Sequence, residues 1–365
     1  MEQMKISGFQ LFCMIFLFEL GSAILIGMAS TAMQDAWIVV LCGTLFGCML
    51  SLVYIKLHEA YPIALFTTYI RKIWGSYVGW TLGLFYVSSF IYGAARVLRD
   101  FEELLVISAY QSTSFLTIGA CMILCIMYAI YKGFEVFARV AELCLFLILF
   151  VLLIIIALEF VGGLVQFQNL QPTLENGWKP IFKALFPTSV TFPFGEMVVF
   201  TMFFPYLNHQ NAAKKITIAT VAVSGIILMV FTIINISILG TEGMVRSSFP
   251  ILSAVSYINI AGFIQRIDIL VIIIMVILGF FKIALYFFGA VIGSADLFRV
   301  KQPKQLIYPI GVMIVICSVI IAPNYIVHLH EGLRVVPYYI SLPAQVVIPV
   351  LLLATVWIKK KIKAT

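Results

Sequence analysis

The chain has 365 residues, of which 63% are hydrophobic and only 11% charged, with a net charge of +7 and a mean hydropathy of +1.11. A soluble domain carries about 25% charged residues, so composition excludes one. The apolar residues fall into blocks of about 18–25 rather than the alternating ten-residue segments of a membrane barrel, and each block is long enough to cross about 30 Å of hydrocarbon as a helix.

In chain order, the blocks predict ten membrane helices near residues 8–31, 36–56, 77–103, 114–131, 139–160, 184–206, 213–239, 267–291, 305–322 and 335–358. The fold class expected is all-α: one integral membrane domain, residues 1–365. The first block has no small-residue cleavage site and reads as a retained helix. With the N-terminus inside, the inside segments hold fifteen Lys and Arg, from Lys5 and Lys56 to the cluster at 359–363. The outside segments hold five, namely Lys179, Lys183, Arg246, Arg266 and Arg334. That asymmetry places both termini in the cytoplasm. It also accounts for the positive charge without nucleic acid, and "KKKIK" (359–363) suits the anionic headgroups of a lipid bilayer. The segment 247–266, apolar but interrupted by Pro250, reads as a helix lying along the outer interface. The seven cysteines all lie in apolar blocks without metal-ligand spacing and read as small core residues.

Ten crossings divide into halves of five, and an odd number makes the second half start on the opposite side, as in an inverted repeat. Such folds place a binding site where one helix in each half is interrupted. "FELGSA" (18–23) in helix one and "TFPFGE" (191–196) in helix six are matching interruptions, each joining a glutamate to a glycine. A break frees peptide groups that hydrocarbon cannot satisfy, so it must face protein, water or ligand. Freed N–H groups attract an anion, and freed carbonyls with an acidic side chain hold an ammonium group. Glu19, Gly21, Gly195 and Glu196 therefore form a candidate cradle for a zwitterion, with the alternative that each break is a structural kink.

Lys282, in "GFFKIALYFFGA" (279–290), lies about ten residues, or 15 Å, from the inner end of helix eight, too deep to snorkel. Its expected partner is Glu19 or Glu196, where its ammonium either replaces a coupling cation or forms a structural ion pair. In "AARVLRDFEELL" (94–105), Arg96 and Asp100 are expected to pair on one face of a solvated helix end, or to form an outer gate. Tyr92 and Tyr286 are candidates to line a central cavity or to pack the bundle. Glu142 and Glu159 are expected at the interfaces of helix five, and His209, His328 and His330 in loops. No phosphate-binding loop, nucleophile–base arrangement or zinc signature is present, so the sequence implies neither an enzyme nor a cofactor.

Several stretches also look familiar: "KISGFQLFCMIFLFELGSAILIG" (5–27), "DAWI" (35–38), "ARVLRDFEELL" (95–105), "FPTSVTFPFGEMVVFTMFFPYLN" (186–208) and "SFPILSAVSYINIAGFIQRIDIL" (248–270). Together they resemble the endospore germination permease family, the B subunits of germinant receptors within the amino acid–polyamine–organocation superfamily. The resemblance implies a leucine-transporter-like fold of ten helices in a 5+5 inverted repeat, with helices one and six interrupted. It implies a small-molecule nutrient germinant, probed first among amino acids, sensed at the inner membrane of the spore. It implies two partners, an A subunit and a C lipoprotein subunit. It further implies a pocket between helices one, three, six and eight, which falls on Gly21, Ser22 and Ala23 in the first break and on Phe192, Phe194, Gly195 and Glu196 in the sixth helix. "FELGSA" departs from the glycine-rich first break common in the superfamily. A proton-coupled amino acid transporter and a ligand-gated water or ion channel are the competing functions.

Overall fold

The computed structural model describes residues 5–259 and 267–364, and every regular element among them is helical. Helix α1, Gly8–Leu20, opens on a capping box in which Ser7 Oγ accepts from the Gln10 amide and Gln10 Oε1 accepts from the Ser7 amide. It ends at Gly21, and 3₁₀ turns over Ser30–Asp35 lead into α2, Ala36–Ala60. A short α3, Phe66–Trp74, precedes the long α4, Ser76–Ser108. Helix α5, Phe115–Lys132, turns directly into α6, Phe134–Val161, through Gly133 at φ +108°, a conformation that favours glycine. The turn begins α6 five residues earlier than hydropathy alone suggests.

Helix α7, Trp178–Ala184, runs into the second break. Beyond it, α8 covers Ala213–Arg246, bent at Gly240 (φ +68°), and α9 covers Pro250–Ser256. The rest of the expected interfacial helix, 260–266, lies outside the described residues. Helix α10, Asp268–Leu297, is followed by α11, Ile307–Ile320, and α12, Tyr325–His330. Widened turns over Glu331–Val335 and Pro337–Val347 lead to α13, Ile348–Ala364.

Among the described residues, eight helices are long and apolar enough to span a bilayer. The other two expected crossings are the interrupted ones: α1 has 13 residues, and the 184–206 block is broken. Helices α1 and α10 form the centre. A helix that is apolar almost all round has no polar face to give to water and belongs inside the protein, and residues 13–20 of α1, Glu19 included, are buried.

Helix α10 packs closely on α4, because the Cβ position at Gly279 falls on the Phe101 ring and that at Gly293 lies 2.8 Å from Val87 Cγ2. At the lysine-rich end, Asp296 of α10 pairs with Arg71 of α3 at 2.7 Å and accepts from Thr67 and Thr68 at 2.5 and 2.8 Å. This ties α3 across the bundle.

Several expectations are corrected, most of them at the opposite end. Arg96 and Asp100 do not pair. Arg96 donates to the His328 carbonyl at 2.6 Å, and Asp100 meets His328 Nε2 at 2.9 Å. Arg99 pairs with Glu103 at 2.8 Å and lies over the Phe115 ring at 4.2 Å. Because α12 folds onto this end of α4, His328 is buried rather than a loop residue. Arg99, Asp100 and Glu103 are buried rather than solvated. Glu159 is fully buried with neither carboxylate oxygen bonded among the described residues, and not interfacial; Glu142 is half-buried. Cys121 and Cys125 lie exposed on the outer face of α5 rather than in the core.

Candidate ligand site at the two helix breaks

The first break follows Leu20. The Gly21 amide closes the last turn on Leu17 O, and two further single-turn bonds, Ile24 to Leu20 and Ile26 to Ser22, replace a continuous helix. The second break is longer. The backbone widens into a π turn over Leu185–Ser189, turns at Phe192 and Pro193, and continues as a 3₁₀ helix over Phe194–Met202. Proline removes one amide donor. Nine residues of 3₁₀ helix exceed the three or four usual for that geometry, which persists only where surroundings impose it.

Those surroundings come from α2 and the widened turns before α13. Tyr54 Oη lies 2.6 Å from Gln345 O and 3.1 Å from Gly195 O, holding the second break against the 337–347 segment. Gly195 allows this approach, since a Cβ there would overlap the Gln345 side chain. The Phe194 ring packs against Gly43 and Gly47 of α2. A side chain as small as leucine at Gly47 would displace that ring. Gly47→Leu is expected to lower the melting temperature of the purified protein, with Gly47→Ala doing so by less; equal stability of all three would refute this packing.

Lys282 of α10 lies between the breaks. Its Nζ is 2.6 Å from Glu196 Oε2, off the hydrogen-bond direction but well within ion-pair range. The same ammonium lies 5.1 Å over the Phe18 ring and 4.9 Å over the Phe192 ring, a favourable placement of a cation on two aromatic faces. The stem of Lys282 passes over Gly21, where any Cβ would overlap it. Glu19 is fully buried with both oxygens unbonded among the described residues, within Coulombic range of Lys282 and Glu196. The Tyr286 hydroxyl sits beside the Glu196 carboxylate.

Next to this ion pair is a cavity of about 100 Å³, space for several waters or a small organic molecule. Ser22 and Ile26 line it from beyond the first break, and Thr191, Phe192 and Glu196 from the second. Tyr86, Tyr92 and Arg96 contribute from α4, Tyr286 from α10, and Leu333, Ser341 and Gln345 from the widened turns. The Ser22 hydroxyl and Gln345 Oε1 are buried with no hydrogen-bond partner among the described residues. Unpaired buried polar atoms are costly, about 1–3 kcal/mol each.

Of the residues expected at a site, Ser22, Tyr92, Phe192, Glu196 and Tyr286 reach the cavity wall. Glu19, Gly21 and Lys282 form the charged cluster beside it. Ala23 is buried and Gly195 packs on Gln345, neither on the wall. Phe194 is turned away onto α2, a correction that follows from the close approach of Gly43 and Gly47. Sequence reasoning missed Tyr54, Tyr86, Ser341 and Gln345. The signal available for the last two was "PYYISLPAQ" (337–345), which holds two of the three prolines of one predicted span.

A family model described as spore germination protein matches residues 5–326. The chain is 41% identical to spore germination protein KB of Bacillus subtilis (strain 168), over 99% of this chain and 97% of the relative. It is 26% identical to spore germination protein YndE of the same organism, over 79% and 78%. Among solved structures, MhsT in complex with L-phenylalanine is similar with a TM-score of 0.65 and 14% identity, over 96% of this chain and 87% of that one. Mhp1, a nucleobase-cation-symport-1 family transporter with bromovinylhydantoin bound, gives 0.61 and 16%, over 88% and 73%. The fold is that of the leucine-transporter-like carriers, with which interrupted helices and a mid-bundle cavity agree. An integral membrane protein with this architecture, matched along nearly its whole length, the chain belongs to the spore germination protein family.

Proposed function

We propose that this protein is the nutrient-sensing permease subunit of a germinant receptor, acting with an A subunit and a C lipoprotein subunit in the inner membrane of the spore. Its ten helices are read as two inverted halves of five, with both termini cytoplasmic. A small nutrient of amino-acid size binds in the cavity beside Glu196 and biases a rocking equilibrium between the halves. A ligand moves such an equilibrium only by its differential affinity for the two states. The observation that carries this reading is the cavity at the two breaks, with Ser22 Oγ and Gln345 Oε1 left without partners at its wall. The fold neighbours, one of which holds L-phenylalanine, support a ligand at mid-bundle. In this reading the ligand carboxylate meets the loosened peptide groups at 21–23, and its ammonium approaches Glu196 and Tyr286.

Two outcomes test it. Spores lacking only this protein, screened against single nutrients, should lose the response to one chemical class; an unchanged response to every nutrient would refute the receptor role. Glu196→Gln should weaken the dose–response by about 1–3 kcal/mol at normal expression, and an unaltered midpoint would remove Glu196 from the site. Since the Lys282 ammonium occupies the place between helices where a coupling cation would sit, replacing sodium by choline should leave the response unchanged.

The similarity to transporters favours one competing reading, proton-coupled uptake of an amino acid through the same cavity. Proteoliposomes separate the two, because a transporter accumulates labelled ligand against a proton gradient whereas a receptor binds it saturably without accumulation. A ligand-gated ion leak would instead indicate a channel.

A further inference from the structure

The two breaks present matching groups to one lysine. The first supplies Phe18 and Glu19, and the second supplies Phe192 and Glu196. The Lys282 ammonium lies between the two rings, at 5.1 and 4.9 Å, and among the described residues it is paired only with Glu196, at 2.6 Å. Glu19 remains fully buried with neither oxygen bonded among the described residues. Among the described residues, the other titratable groups within Coulombic range of these carboxylates are Tyr54 and Cys48 from α2 and Tyr286 from α10, and phenols and thiols are neutral at neutral pH. Two carboxylates, Glu19 fully buried and Glu196 partly exposed on the cavity wall, share one ammonium and leave the cluster one positive charge short. An isolated buried carboxylate is not held ionised; it takes up a proton. The lysine stem passes over Gly21 at the end of α1 and lies within Coulombic range of Glu19, so rotation about the terminal bonds of Lys282 would redirect Nζ from the second break towards the first.

We propose that Glu19 is the resting proton site of this cluster and the second seat of the Lys282 ammonium. When a ligand ammonium takes Glu196, Lys282 moves to Glu19 and the Glu19 proton leaves. One cation enters, one proton departs, and the cluster keeps its net charge. The ligand half of this exchange rests on the nutrient-site reading above and names its ligand class, a primary amine; the resting half does not depend on it.

Infrared spectroscopy of the full chain in lipid nanodiscs, at neutral pH without ligand, tests the resting half. The wild-type spectrum should contain a protonated-carboxyl stretch that disappears in Glu19→Gln. In Glu196→Gln, which frees Lys282 as an arriving ammonium would, the same band should also disappear. In Lys282→Met no ammonium can reach Glu19, and the band should persist. Carboxyls elsewhere, such as Glu102 and Glu159, are untouched by these substitutions and cancel in the difference spectra. A Glu19→Gln spectrum identical to wild type, or a band that persists in Glu196→Gln, overturns the proposal. Should Lys282→Met fail to accumulate, the other two variants still decide it. A failed band pattern with an intact nutrient response would reject the exchange and leave the nutrient site standing. The expected pattern in a protein that no nutrient engages would do the reverse.

Discussion

Lys282→Met is expected to be the most damaging single substitution at the centre of this protein. It leaves the Glu196 carboxylate without its cation, with Glu19 within Coulombic range. Removing one partner of a buried ion pair costs about 3–5 kcal/mol, because the other charge stays buried without compensation. The lysine stem is also fully enclosed, so the methionine keeps its volume and isolates the loss of charge. The measurable result is a lower melting temperature of the purified protein in detergent and less protein in the membrane. The double variant Lys282→Met/Glu196→Gln removes both sides of the pair and should recover most of the loss. A single variant as stable as wild type, or a double variant no better than the single, would show that the ammonium and Glu196 do not compensate one another.

Gly279→Leu is expected to have the next largest effect. The Cβ position of Gly279 falls on the Phe101 ring, so a leucine cannot be placed without separating α10 from α4. Overpacking of this kind costs about 1–3 kcal/mol and more where backbone must move. Here it must, since the obstruction is a buried ring and not the end of a flexible chain. Gly279→Ala should destabilise by less, and Phe101→Leu should rescue the alanine variant. The effect should extend to ligand response, because α4 carries Tyr92 and Arg96 to the cavity wall, and α10 carries Tyr286 to that wall and Lys282 to the charged cluster beside it. Unchanged thermal stability in Gly279→Leu would mean that the two helices are not in this contact.

Why Glu196 was readable in advance and the wall from 333 to 345 was not comes down to range. A carboxylate beside proline and glycine inside an apolar block is a local conflict, visible within six residues. The role of Gln345 depends instead on Tyr54, far away in sequence, which joins its carbonyl to that of Gly195. His328 was similarly misplaced, since a histidine between helices looks solvated until Asp100 and Arg96 of another helix are brought against it. The family resemblance drawn from short stretches agrees with the matched family model and with the relative 41% identical.

Transfer free energy depends on composition over a window of about twenty residues, so the membrane-embedded, all-helical character and most span limits follow from the amino-acid order alone. The interruptions follow too, because proline's missing donor and glycine's missing side chain act on their own backbone. Facing does not. In the second break, Phe192 turns its ring to the Lys282 ammonium whereas Phe194, two residues on, packs against Gly43 and Gly47. The same residue type in the same local setting is sent to opposite sides by neighbours on other helices. Lys282 likewise had two carboxylates available, and only the packing of α1, α10 and the second break gave it to Glu196 and left Glu19 enclosed, with no partner among the described residues.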